Sequence, residues 1–386
     1  MINVFSKLFT LLALVLLFDS SLAQKGNSAQ NDLPIDKKAT KETVHLYQNL
    51  KKIAQKGFLF GHQDATAYGV GWKDKENKSD VKEVTGEFPG LYGWDLCGIE
   101  HQSPNNIDGV PFINIRNLVK QAYKRGGVNT FSWHCPSPSG ASNGAWDTTE
   151  GTVASILPGG VNHEKYKQWL DEVSRFFLSL RGEHNELIPI LFRPFHELSG
   201  NWFWWGRSAC TADEFIAIWK FTVNYLRDVK QVHSLLYVYN TGTEFTNSNG
   251  YLERYPGDGY ADVVSFDNYQ SNDPTKDNGF VTATDSKLTI LDQIAKERNK
   301  IEAIGETGYE AIPYAEWWTK TLIPAIGNHP ISYVLLWRNA GLMKDTNKMH
   351  YYVPYKGQVS EADFRIFYRM DKTFFEKDTE MGKLYQ

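Results

Sequence analysis

Short apolar or β-branched runs alternate along this chain with stretches in which apolar residues recur every three or four positions. Eight of the runs read as strands: Phe58 to Phe60, Gly90 to Tyr92, Gly127 to Phe131, Leu187 to Phe192, Leu235 to Tyr239, Val263 to Phe266, Glu302 to Ile304 and Ile331 to Leu336. Between them the period is helical. From Asp213 to Val229 it sets Phe215, Ile218, Trp219, Thr222, Leu226 and Val229 on one face, and Thr211 with Glu214 has the spacing of a capping box. Tyr166, Trp169, Leu170, Val173, Phe176, Phe177 and Leu180 repeat the pattern upstream, and Phe364, Phe367 and Tyr368 mark a closing helix. Parallel strands need crossovers and a closed cylinder leaves no edge. Eight strand signals separated by helices therefore predict a single-domain (β/α)8 TIM barrel of the α/β class. An open doubly wound sheet is the rival.

The residues that end the strands favour the barrel. In order, the strands lead into His62-Gln63-Asp64, Trp94-Asp95, Trp133-His134, His196-Glu197, Tyr239-Asn240, Asp267-Asn268-Tyr269, Glu306 and Trp337-Arg338. A barrel gathers all of these at its C-terminal mouth, where barrel enzymes build their sites.

The N-terminal residues change the picture of where the chain works. Lys7, the apolar run Leu8 to Phe18 and the small residues Ser21 and Ala23 read as an export signal over 1–23. The run is too short to span a bilayer and no comparable stretch follows, so the expected destination is the periplasm or the extracellular space. Residues 24–40 are polar and read as a flexible leader; 41–386 is assigned to the barrel. A net charge of −4 with no concentrated basic face argues against nucleic acid or an anionic membrane surface as partner. No obligate protein partner is indicated, and a neutral polymer fits better. Three cysteines, Cys97, Cys135 and Cys210, match no metal spacing and read as small buried hydrophobes.

Two carboxylates close buried strands: Glu197 after Arg193-Pro194-Phe195-His196, and Glu306 after Ile304-Gly305. Glycoside hydrolysis needs such a pair, one acid to protonate the leaving oxygen and one carboxylate to attack or to activate water. The strands that carry them can bring the two within about 5 to 5.5 Å, which predicts retention of anomeric configuration. Their surroundings must push their protonation apart, and Arg193 can hold an ionised carboxylate at the mouth. Neighbouring strand residues face opposite ways, so His196 and Glu197 share one site only if the strand breaks, for which Pro194 is a plausible cause. Glu302 reads as a solvated charge. A zinc-protease signature fails because position 200 is Gly, and His62, His134 and His196 lack the carboxylate or cysteine pattern of a metal triad.

Trp202, Phe203, Trp204 and Trp205 crowd a loop beside Glu197, and Trp146 lies in the long Gly-, Ser- and Pro-rich segment from Ser137 to Gly160. Apolar sugar faces stack on such rings while His, Asn and Arg bond the hydroxyls.

Taken together, Arg193-Pro194-Phe195-His196-Glu197 with Trp202 beyond it, Ser265-Phe266-Asp267-Asn268-Tyr269, Gly305-Glu306-Thr307-Gly308 and Trp337-Arg338 resemble glycoside hydrolase family 26. Most members of that family are β-mannanases, and the likeness runs from Gly61-His62-Gln63 to Trp337. It implies retaining cleavage of β-1,4-mannosidic bonds in mannan, glucomannan or galactomannan, with no metal or organic cofactor. It makes Glu197 the acid/base, Glu306 the nucleophile and Trp337 the floor under the attacked sugar. His196 and Tyr269 then contact that sugar, Trp202 and His134 line the leaving-group side, and Arg338 binds the next sugar outward. Trp146 carries over less directly; His62 and Arg193 are expected as supports at the mouth. Cutting within chains and releasing mannobiose from ends both remain open, as do another β-glycan such as xylan or mixed-linkage glucan and a non-catalytic glycan-binding role.

Overall fold

The computed structural model describes residues 32–140, 142–378 and 383–386. The export signal expected over 1–23 and the leader as far as residue 31 lie outside the described residues. Eight parallel strands form the barrel: β1 Phe58–Gln63, β2 Leu91–Asp95, β3 Val128–Trp133, β4 Ile190–Pro194, β5 Leu235–Thr241, β6 Val263–Gln270, β7 Ile301–Tyr309 and β8 Tyr333–Leu336. Each pairs with the next, and β1 pairs with β8 from Leu59↔Tyr333 to His62↔Leu336, which closes the cylinder. The open-sheet alternative is thereby excluded. A further two-residue strand, Thr373–Phe374, adds to the start of β1.

Strand alternation sorts the core into two layers. Leu59, Leu91, Val128, Leu191, Leu236, Val263, Ile301 and Tyr333 face inward, where Leu46, Tyr47, Leu50 and Ile53 of the helix Lys41–Ile53 join them. That helix begins where Thr40 accepts the Thr43 amide, and its apolar face plugs the N-terminal end of the barrel. Each such aliphatic side chain contributes about 1.5–3 kcal/mol on burial. The alternate strand residues, among them Phe60, Trp94, Phe131, Phe192 and Tyr237, meet the helices outside. Those helices follow the predicted stripes: His163–Ser179 buries Tyr166, Trp169, Leu170, Val173, Phe176 and Phe177, and Ala212–Asn224 starts at the capping box of Thr211 and Glu214.

Three expectations change. From Asp32 onward the leader is tied down, because the Ile35 amide donates to Asp262, His233 Nδ1 bonds Asp36 and the Thr40 amide donates to the His233 carbonyl. Glu302 is 2% exposed: alternation turns it outward from β7 beneath the helix Gly279–Arg298, beside Asp292 of that helix. Third, β6 and β7 run past their predicted ends, so Tyr269 and Glu306 sit within strands and are held by sheet pairing.

Candidate active site

Both glutamates reach the mouth through breaks in strand alternation. On β4, Leu191 and Arg193 point inward, and a regular strand would send His196 outward. The chain instead leaves the sheet at Pro194 and puts Phe195 (φ 52°) and Glu197 (φ 50°) in the left-handed region. Phe195 turns away to pack on Trp204, Trp205, Phe215 and Trp219. His196 and Glu197 are then both left facing the cleft. Two non-glycine residues in this conformation cost on the order of 1–3 kcal/mol each, which their surroundings must supply.

On β7 the irregularity is a bulge. Its pairing with β6 jumps from Phe266↔Ile304 to Asp267↔Glu306, and its pairing with β8 jumps from Val334↔Ile304 to Leu336↔Thr307. The extra residue is Gly305, where a Cβ would collide with the carboxamide of Asn240 and the carboxylate of Asp267. Past it, Glu306 points inward.

The charges converge under these two breaks. Arg193, 1% exposed, donates through Nη2 to Glu306 at 2.5 Å and through Nη1 to Asp267 at 3.2 Å. Tyr269 donates its hydroxyl to the other Glu306 oxygen at 2.8 Å. Glu197 accepts the Trp202 indole N–H at 2.6 Å. Burial, and after it the charge of Glu306, pushes the Glu197 carboxyl up to about 7. Burial and Glu306 also raise Asp267, against the pull of Arg193. One oxygen from each of Glu197, Asp267 and Glu306 lies within 4.8 Å of the others. That spacing could gather a cation, but the guanidinium already supplies positive charge to two of the three.

Beside them, His134 bonds Asp95 through Nδ1 at 2.7 Å and meets His196 through paired Nε2 atoms at 3.1 Å. Burial works against a charge on His134, but Asp95 outweighs it and the imidazole is raised; His196, buried and facing His134 and Arg193, is lowered. Trp146 stacks on the His134 ring at 5.4 Å between centroids, and Trp337 approaches it at 6.2 Å. Arg338 is held by Asp108 at 3.1 Å. Of the crowded aromatic loop, Phe203, Trp204 and Trp205 are core, whereas Trp202 remains 38% exposed and Trp146 48%.

The structure thus brings together Glu197, Glu306, Arg193, His134, His196, Tyr269, Trp146, Trp202, Trp337 and Arg338. His62 does not join them. It shares the outward face of β1 with Phe58 and Phe60, is 1% exposed, and is pushed down to about 3 by burial, so it is a neutral core residue and not a support at the mouth. Three carboxylates with clear tasks escaped the sequence reading: Asp267 on Arg193, Asp95 on His134 and Asp108 on Arg338. Asp95 ends β2 and Asp267 directly follows the apolar run Val263 to Phe266 in the sequence, which was the available signal.

The profile of glycosyl hydrolase family 26 matches residues 35–323. The chain belongs to glycosyl hydrolase family 26. A solved relative, a GH26 beta-mannanase from Bacteroides ovatus, superposes with TM-score 0.85 and 43% identity over 90% of this chain and 98% of that one. The catalytic domain of a Bacillus sp. JAMB-750 GH26 endo-beta-1,4-mannanase gives TM-score 0.81 and 31% identity over 92% of this chain and 96% of that one. By sequence, a mannan endo-1,4-beta-mannosidase of Bifidobacterium adolescentis is 32% identical over 367 residues, 90% of this chain and 36% of the relative. Mannan endo-1,4-beta-mannosidase A and B of Caldalkalibacillus mannanilyticus is 25% identical over 69% of this chain and 52% of its own length. This family 26 chain therefore spans about a third to a half of those two curated relatives.

Proposed function

We propose that this family 26 chain is a retaining β-1,4-mannanase in which Glu306 is the nucleophile and Glu197 the acid/base. The observation that carries the proposal is the spacing of the two carboxylates, an oxygen of each within 4.8 Å, in opposed surroundings. Retaining hydrolysis uses carboxyl groups about 5–5.5 Å apart, and inverting hydrolysis needs about 6.5–9.5 Å to admit a water. Glu306 accepts from a guanidinium at one oxygen and from a phenol hydroxyl at the other, which fixes its carboxylate in the cleft. Glu197 sits where burial favours the acid form.

In the first step Glu306 attacks the anomeric carbon; the bond to the leaving oxygen breaks and that oxygen takes the Glu197 proton. In the second, water attacks the same carbon, gives its proton to Glu197 and frees Glu306. Trp337 floors the attacked sugar, His196 and Tyr269 contact it, Arg338 bonds the next sugar outward, and Trp202 with Trp146 and His134 lines the leaving-group side. The half-exposed indoles suit the apolar faces of a neutral polysaccharide.

The names of the relatives support mannan as the polymer, while fold and catalytic pair alone would serve another β-glycan. The deciding experiment is a time course of products and viscosity on linear β-1,4-mannan, with Glu197→Ala as control and xylan and mixed-linkage glucan in parallel. Rapid viscosity loss with mixed oligomers is the endo result; mannobiose with little viscosity change is the chain-end result. Turnover of xylan or glucan but not mannan would overturn the substrate, and no control-sensitive product on any polymer would overturn the enzyme. Release of the inverted anomer would overturn retention. Export rests on residues 1–23 and is tested by fractionating cells that express the full chain; a product confined to the cytoplasm would refute it. Among the described residues no helix is long and apolar enough to cross a membrane.

A further inference from the structure

Beneath the leaving-group side of the cleft lies a buried carboxylate that the chemistry above does not use. Asp95, the last residue of β2, accepts the Cys97 amide at 2.7 Å, the Ser132 hydroxyl at 2.8 Å and His134 Nδ1 at 2.7 Å. An ionised carboxylate only accepts, so the Nδ1 of His134 must carry a proton. Across the 3.1 Å contact between His134 Nε2 and His196 Nε2 there is room for one proton. A neutral His134 accepts there from His196, and a charged one donates. Asp95 thus fixes the His134 tautomer in either state; without it both rings could present a donor and push apart.

His196 lies between the two left-handed residues, Phe195 and Glu197. Its carbonyl accepts the Trp205 indole N–H at 2.8 Å, and its ring is wedged against His134 and Phe203. These contacts are what hold the strained turn, and Glu197 is the side chain that moves if they slacken. We propose that Asp95 is a positioning residue which, through His134 and His196, holds the acid/base Glu197 in reach of the leaving oxygen. The proposal rests on the role proposed above for Glu197.

Charge acts in the same line. Asp95, Asp108, Glu306 and Glu197 face His134 as acids, and Arg193 faces His196 as a cation. Positive charge on His134 favours the ionised form of Glu197, so removing Asp95, which supports that charge, shifts Glu197 further toward its acid form.

The test compares Asp95→Asn with the unaltered protein and with Ser132→Ala, which removes a neighbouring hydroxyl but spares the bond to His134. Kinetics are measured on phenyl and 2,4-dinitrophenyl β-mannobiosides, since dinitrophenolate departs without a proton and phenolate does not. For Asp95→Asn, kcat/KM on the phenyl substrate should fall at least about tenfold, part of the about 10²–10⁴ that a placed acid supplies, while the dinitrophenyl substrate loses less than about threefold. The alkaline limb of its pH profile should also move up. Ser132→Ala should keep the unaltered ratio between the substrates. Equal losses on both substrates, no loss on the phenyl one, or the same altered ratio in Ser132→Ala would each overturn the proposal. If the unaltered protein hydrolyses aryl cellobiosides and not mannobiosides, the mannan reading fails, and the same comparison on cellobiosides still decides the part played by Asp95.

Discussion

Replacing Arg193 by methionine should lower both stability and turnover, by amounts that follow from its surroundings. The guanidinium is buried between Glu306 and Asp267, each 4% exposed, at 2.5 and 3.2 Å. Methionine fills much of the volume and supplies no counter-charge. Breaking a buried ion pair from one side costs about 3–5 kcal/mol. At on the order of 2 °C per kcal/mol for a long chain, Tm should fall by about 5–10 °C. Glu306 also loses the donor that fixes one of its oxygens, and a misplacement of about 1 Å at a reacting group costs about 10²-fold, so kcat should fall by about that much. Arg193→Lys restores a charge but not a planar fork able to serve two carboxylates, so it should fall between. Thermal unfolding and kcat on an aryl β-mannobioside, from pH 5 to 8, check both parts. Arg193→Met with unaltered turnover and Tm would refute the view that this guanidinium is what holds Glu306 in place.

Glu197 must be protonated to act as acid and its carboxyl stands at about 7, so kcat/KM should decline as pH rises through that value. Trp202→Phe keeps the ring but removes a donor that favours the ionised form, and the alkaline limb should move to higher pH; a downward move would contradict the assignment. With azide and a dinitrophenyl β-mannobioside, Glu197→Ala should yield the β-glycosyl azide and Glu306→Ala the α-glycosyl azide. Proton resonance of the products distinguishes the two, and the reverse pattern would exchange the roles. Glu302 is raised well above the ordinary glutamate range, first by burial and then by Asp292. The unfolded chain ionises it near ~4.3 while the folded one keeps the proton, so its stability penalty is absent below that pH and grows as pH rises toward the folded value. Glu302→Gln should therefore match the unaltered Tm near pH 4 and exceed it at pH 8, and a constant gap across that range would refute the linkage.

The barrel and the members of its site were legible for one reason: a period of two within strands and of three to four between them survives in the sequence, and the polar residue that ends each apolar run lands at one mouth. Sidedness was not legible. His62 lies next to the end of β1 as His134 follows β3, yet His62 keeps the parity of Phe58 and Phe60 and is carried outward, while His134 lies one step beyond its strand and turns in. Glu302 and Glu306 occupy one apolar run, and the Gly305 bulge between them decides that the first is buried under a helix and the second faces the cleft. A regular barrel would place Glu197 inward but His196 outward, and Glu306 on the wrong face altogether. The close approach of the two carboxylates is therefore set by the early exit of β4 at Pro194 and the extra residue in β7. Gly305 is recognisable as the residue such a bulge wants, since any Cβ there strikes Asn240 and Asp267. Phe195 and Glu197 carry no comparable mark, because nothing in their residue types favours a left-handed backbone. Their conformation is imposed from outside, by the aromatic pocket that receives Phe195 and by the His134–His196 contact above Asp95, so the placement of Glu197, the proposed acid/base, depends on packing behind it and not on its own strand.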